Sequence, residues 1–277
     1  MAVVGLHLGD RDVVAATLDE NLISHATTDW EGPSGKVGTF ADRLVGALEN
    51  LDTSEGDPIW ISLPPGYIHL RRIPLEIAGE RDRRTHLGWE AAQTLGQAPE
   101  NLTLRHWASG SVAIWEAVRA DLVAGIDQRL ETAGFHLGGV CAEPVALYQA
   151  MLEDPETWQA GVALSADWVS IAAGSSRALV LAESIRMDAP DKQTLEDVAD
   201  LVSSRIRGRA ERFASFSVAG SARGQVDDFA RHLAIAAGIE APLLQAPGST
   251  VSDDPEFGTR VALAAGAARS SKTGLPS

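Results

Sequence analysis

Few residues in this chain are of a type and spacing that could do chemistry. Two acidic turns come first: Gly9-Asp10, with Asp12 two residues on, and Ala166-Asp167. Each interrupts a run of apolar and β-branched residues and reads as a tight turn between strands. An Asp at a hairpin turn is first of all a turn former, because its side chain bonds nearby backbone. The seven histidines are scattered, with no pair at helical ligand spacing, so no structural metal is predicted. Cys141 is the only cysteine; set in Val140-Cys141-Ala142, it is expected to be a small buried hydrophobe. Fragments such as Ser165-Ala166-Asp167 do not make a nucleophile–base set, and no catalytic residue is predicted.

The bulk composition narrows the function classes. A formal charge of −15 over 277 residues argues against gripping a phosphate backbone, which needs clustered positive charge, so no nucleic acid is expected. The one basic cluster is Arg71, Arg72, Arg81, Arg83 and Arg84. It is expected to be a solvated strand end and first helical turn, or alternatively a docking patch for an acidic partner or anionic lipid. No stretch approaches the roughly 18 apolar residues of a spanning helix. The chain opens directly into a strand pattern with no basic-then-apolar leader, and a cytoplasmic location is expected.

The elements that would position the two acidic turns repeat. Val3 to Leu8, Asp12 to Leu18 and Leu22 to Thr27 predict one antiparallel meander; Gly161 to Ser165, Trp168 to Ala173 and Ala178 to Ile185 predict a second. Between them, Phe40, Leu44, Leu48 and Leu51 keep helical rhythm, and Ile59 to Leu63 is a buried strand closed by Pro64-Pro65-Gly66. Alternation predicts a strand from Tyr67 to Pro74. A helix follows from Arg81 to Leu95, ended by Gly96, and Leu102 to Trp107 is a further strand. Val118, Leu122, Ile126, Leu130 and Ala133 predict one long amphipathic helix stopped by Gly134. The second half continues with a helix from Thr194 to Phe213, a strand at Phe216 to Ala219, a helix from Gln225 to Ala237 and a closing helix from Phe257 to Arg269. The fold class is α/β, a duplicated unit with a cleft between its halves.

This order resembles the actin-like (ribonuclease H-like) ATPase superfamily, and within it the PilM family of type IV pilus assembly proteins. Three stretches carry the likeness. Ile59 to Pro64, Ile73-Pro74 and His86 to Gln93 look like that family's strand, Leu-Pro turn and Trp-Glu-Ala-x-Gln helix. Ala133-Gly134-Phe135 through Ala142-Glu143-Pro144 to Leu147 is similar to its crossover into the second lobe. Val218-Ala219-Gly220-Ser221 and Ala264-Ala265-Gly266 look like its adenosine loop and closing helix.

The resemblance implies a two-lobed fold with lobe I at 1–153 (core 1–66, a small inserted subdomain at about 67–142), lobe II at 154–269, and a disordered tail at 270–277. It also implies a nucleotide cleft that this sequence has eroded. The triplet matching the superfamily's metal-ordering Asp-x-Gly is His7-Leu8-Gly9 in the first meander and Ala163-Leu164-Ser165 in the second. The glycine-rich adenosine loop is reduced to Ala219-Gly220-Ser221-Ala222, and a single helix stands where the second lobe's own insertion belongs. Gly9, Asp10, Asp167, Gly220 and Ser221 would be the vestigial cofactor residues, with no cofactor retained and ATP with magnesium disfavoured.

The function so implied is a non-catalytic, cytoplasmic scaffold of a type IV pilus or type II secretion-like platform, peripheral at the inner membrane. It would bind a short cytoplasmic peptide of a bitopic, PilN-like protein. The predicted groove lies between the lobe I core and the small subdomain, with Trp89, Glu90, Gln93, Arg71 and Arg84 as its binding residues. The alternative is a nucleotide-dependent enzyme of the same fold, an ATPase or small-molecule kinase, with Asp10, Asp12 or Asp167 taking over the metal. A third class is a filament former resembling the cell-division FtsA group.

Overall fold

A computed structural model describes residues 2–9, 12–19, 21–29, 37–51, 56–75, 77, 79–109, 111–151, 157–187, 194–207, 213, 215–220, 225–246 and 255–273. The chain opens with β1 (Val3–Leu8), β2 (Asp12–Asp19) and β3 (Asn21–Asp29), then α1 (Val37–Glu49) and β4 (Pro58–Leu63). A smaller unit follows: β5 (Ile68–Pro74), α2 (Glu80–Leu95), β6 (Leu102–Ser109) and β7 (Val112–Arg119). The chain returns through α3 (Ala120–Thr132), β8 (His136–Ala142) and α4 (Glu143–Met151). The second half consists of β9 (Gln159–Leu164), β10 (Trp168–Ser175), β11 (Ala178–Arg186), α5 (Leu195–Arg207), β12 (Ser215–Gly220), α6 (Val226–Ala237) and α7 (Pro255–Arg269).

The duplication is visible in both sheets. One runs β3-β2-β1-β4-β8, an antiparallel meander extended by parallel strands, and the other runs β11-β10-β9-β12 in the same sense. The turns that close the first hairpins match in their backbone bonds. Gly9 N–H donates to Asp12 O at 2.8 Å, and Ser165 N–H donates to Trp168 O at 2.9 Å. Between β11 and β12 the described residues contribute one helix, α5.

The small unit is a three-stranded sheet, β5-β7-β6, with α2 on one face. Its central strand departs from the sequence prediction, which carried the helix back through Val118. Val112–Arg119 is instead a strand, and α3 begins at Ala120. Val118 lies four residues before Leu122 by coincidence of register, and β7 is buried on both faces, so no polar alternation announces it. The first half of the predicted tail also differs: Ser270–Thr273 forms a short 3-10 turn, with Ser270 buried and its hydroxyl donating to Gly266 O at 3.2 Å, while 274–277 lie outside the described residues. Cys141 is fully buried, as predicted, and burial pushes its thiol up to about 12.

The remaining face of the small sheet is tied to the first lobe by a buried polar stack. The Arg105 guanidinium lies between the rings of Trp60, at 5.0 Å, and Trp107, at 5.3 Å. It donates to Val140 O at 3.1 Å and sits 3.4 Å from the Glu116 carboxylate, which accepts Ala142 N–H at 2.8 Å. Glycines at 138 and 139 let Trp60 lie flat on β8, since a Cβ at either position would come within 3 Å of the indole.

Helices α4 and α7 join the halves. Every residue of α4 is buried, and its Tyr148 hydroxyl donates to Ser175 O at the end of β10. The two helices lie at backbone distance: a Cβ at Gly266 would fall 2.0 Å from Ala146 O, and one at Gly5 would fall 1.8 Å from Ala264 O. Gly5→Ala therefore has to separate β1 from α7 and is expected to cost about 3 kcal/mol. Gly88→Ala, where nothing lies within 4 Å in an ordinary helix, is expected to gain about 0.5–1 kcal/mol. Urea denaturation of the two variants measures both.

Candidate functional site

Two places deserve the name of site. The first lies at the carboxyl ends of the parallel strands β1, β4 and β8, where open α/β sheets bind ligands. His7 stands near the end of β1, Asp12 opens β2, and Glu143 opens α4 directly after β8. Into this cluster α7 sends Arg260, whose Nη1 lies 2.9 Å from Asp12 Oδ2. The pair is sealed from solvent, with Asp12 2% and Arg260 4% exposed. The guanidinium also lies 5.3 Å above the Phe257 ring, which packs against His25 of β3 at 5.3 Å.

His7 is fully buried, and its Nε2 is 3.9 Å from Glu143 Oε2, beyond hydrogen-bond reach. Burial first, and then the Arg260 charge, hold its pKa down to about 3, so the ring is neutral at neutral pH. Among the described residues this donor set does not fit the magnesium–nucleotide that the sequence resemblance implies. Magnesium wants several hard, preferably anionic oxygens and its own waters. Here the first position is a neutral imidazole, and the carboxylate of Asp12 is already neutralised by an internal cation.

The other predicted cleft residues are placed as follows. Gly9 is buried in the first turn. Asp167 is exposed in the second turn, where its carbonyl accepts Met187 N–H at 2.9 Å. Gly220 ends β12, and its amide donates to Thr259 Oγ1 at 3.2 Å. That glycine has a packing reason of its own, because a Cβ there would fall 2.1 Å from Leu164 O. Asp10 and Ser221 lie outside the described residues. Sequence reasoning missed Arg260 and Thr259; the available signal was a lone Thr-Arg pair entering an otherwise alanine-rich closing helix.

The second site is a groove of about 480 Å³ between the end of α2, the start of α3 and the small sheet. Tyr67, Leu95, Leu102 and Leu122 give it apolar walls, and His69, Thr94, Gln97, Arg119 and Asp121 give it polar edges. Burial lowers His69 and raises Tyr67 from their ordinary values, so both groups are neutral at pH 7. The predicted binding residues flank the groove without lining it. Arg71 donates to Glu90 at 3.1 Å and to the groove residue Thr94 at 2.9 Å. Trp89 is 59% exposed and Gln93 and Arg84 are exposed on α2.

No protein-family model and no curated protein matches this chain. Solved structures do. The PilM-PilN type IV pilus biogenesis complex matches with a TM-score of 0.70 at 16% identity, over 98% of this chain and 98% of that one. A Bacteroides thetaiotaomicron protein of actin-like ATPase fold and unknown function matches at 0.55 and 12% identity, over 87% and 90%. The cytoplasmic domain of EpsL, an inner-membrane component of the Vibrio cholerae type II secretion system, matches at 0.54 and 11% identity, over 79% and 82%. Sugar kinases share the fold at lower similarity. The chain has the actin-like ATPase fold. Among the described residues no helix is long and apolar enough to cross a membrane.

His7 gives the cleft a pH signature. The unfolded ring protonates near 6.5 and the folded one only near 3. The unfolded state therefore binds more protons between those values, and stability falls as pH drops through the window by ~1.4 kcal/mol per pH unit from this residue. His7→Gln, which does not titrate, is expected to lack that contribution. Urea midpoints of the two proteins from about pH 7 to pH 5 should converge as acid is added.

Proposed function

We propose that this protein is a non-catalytic actin-like scaffold of a type IV pilus or type II secretion-like platform. In this reading it holds a short cytoplasmic segment of a membrane partner in the groove between α2 and α3. The observation that carries the reading is the groove itself: about 480 Å³, open to solvent, apolar along its walls and polar at its rim. Those are the features of a cleft that takes two or three apolar anchors of an extended peptide and orients them by edge hydrogen bonds. The full-length likeness to the PilM-PilN type IV pilus biogenesis complex supports the same class of partner.

The cleft at the strand ends supports the non-catalytic half of the proposal. An enzyme of this fold needs a carboxylate free to order a metal beside the phosphates, and of the three acids considered for that role Asp12, the one at the strand ends among the described residues, is held by Arg260. The position of the protein at the inner membrane would then come from its partner.

Overlapping fluorescent peptides from the cytoplasmic tails of bitopic pilus and secretion proteins test the proposal by anisotropy. One of them is expected to bind with micromolar affinity. Tyr67→Ala and Leu102→Asp should weaken it by about tenfold or more, while Ile235→Ala on the other lobe leaves it unchanged. Failure of every peptide to bind, or binding indifferent to Tyr67 and Leu102, sinks the groove. ATP hydrolysis that disappears in Asp12→Ala would favour the enzyme instead.

A further inference from the structure

The start of α7 touches both meanders at once. Thr259 and Arg260 are neighbours on the helix, so their side chains leave it about 100° apart. Thr259 is buried against the end of β12, its hydroxyl receiving Gly220 N–H at 3.2 Å and facing Gly220 O at 3.3 Å. Gly220 pairs in register with Leu164, the residue just before the second meander's turn. Arg260 reaches the other way, to Asp12 beside the first meander's turn. One dipeptide thus spans the gap between the two turns.

We infer that Thr259-Arg260 is an internal staple that takes the place of a bridging ligand and keeps the two lobes closed without one. In two-lobed proteins that close around a ligand, the ligand bridges the lobes and its departure lets them swing. Here the bridging cation is part of the chain and cannot leave. Both of its charges are desolvated, so any opening that parted Arg260 from Asp12 would strand a buried charge. A ligand can shift an equilibrium only by its differential affinity for two states, and the staple leaves one state populated.

Electron-spin distance measurements between labels on the two lobes test the inference. Cysteines replace Glu49 of α1 and Ile235 of α6, both exposed, while the buried Cys141 stays unlabelled. The parent protein is expected to give one narrow distance population, identical with and without Mg-ATP. Asp12→Ala combined with Arg260→Met removes both charges together, so neither is stranded, and should broaden the distribution about twofold. Thr259→Val, a conservative change, should raise exchange of the Gly220 amide about tenfold while leaving the Asp12 side in place. A parent distribution that is broad or moves with nucleotide overturns the staple, and so does a folded double variant with the parent's narrow distance. Should the double variant not fold, a Gly220 amide as protected in Thr259→Val as in the parent overturns it equally. The inference does not rest on the groove: label distances report the lobes and peptide titration reports the groove, so either can fail alone.

Discussion

Helix α7 lies at backbone distance from β1 and from α4, and the rest of the molecule is built around that closeness. Gly5 opposite Ala264 and Gly266 opposite Ala146 leave no room for even one Cβ. Interiors pack at crystal-like density, so a contact this tight fixes position and direction together. With the middle of the helix pinned to the first sheet and to α4, its first turns are delivered to the carboxyl ends of β1 and β12. Thr259 and Arg260 then have only one place to go. At its other end Arg269 donates to the carbonyls of Gln149 and Ala150, at 3.3 and 3.4 Å, and so supplies partners for the last open carbonyls of α4.

Much of this was legible in the residues because the chain punctuates its elements. The meander strands are bounded by Gly, Asp and Ser turns, and α2 and α6 stop at Gly96 and Gly238, both left-handed with φ of 61° and 69°. The central strand of the small sheet escaped for a physical reason. A strand covered on both faces has no polar side, and the step from Arg119 to Ala120 hands an apolar run to a helix with no breaker between them. The 3-10 turn after Arg269 escaped because its one buried anchor, Ser270, is a residue type that favours the surface.

The sites were legible to different depths. That His7-Leu8-Gly9 and Ala163-Leu164-Ser165 carry no carboxylate could be seen in the residues alone, since those triplets sit at identifiable turns. What stands in the cleft instead could not, because Arg260 lies far along the chain from Asp12 and nothing local pairs them. The surviving Gly220 invited a reading as a remnant of ligand binding, whereas its contact with Leu164 O is sufficient reason for a glycine. The groove is assembled from the ends of α2, β5, β6, β7 and α3. No single stretch contains enough of it to produce a pattern, so the sequence pointed to the exposed face of α2 next door.

A groove whose walls belong to two units is useful only if those units hold still, because wall motion has to be frozen out when a guest enters. The Arg105 stack supplies that rigidity. A buried guanidinium between two indoles, tied to Glu116 and to the backbone of β8, leaves the small sheet no low-energy alternative position. Burial raises the Glu116 carboxyl, and Arg105 and the Ala142 amide oppose that shift. The same expedient, a buried arginine paired with a carboxylate from another element, thus appears twice. Arg260 closes the cleft between the lobes, and Arg105 braces the sheet that forms the floor of the groove. The two arginines fill the space between elements with the chain's own side chains, while the groove beside α2 and α3 stays open at the surface.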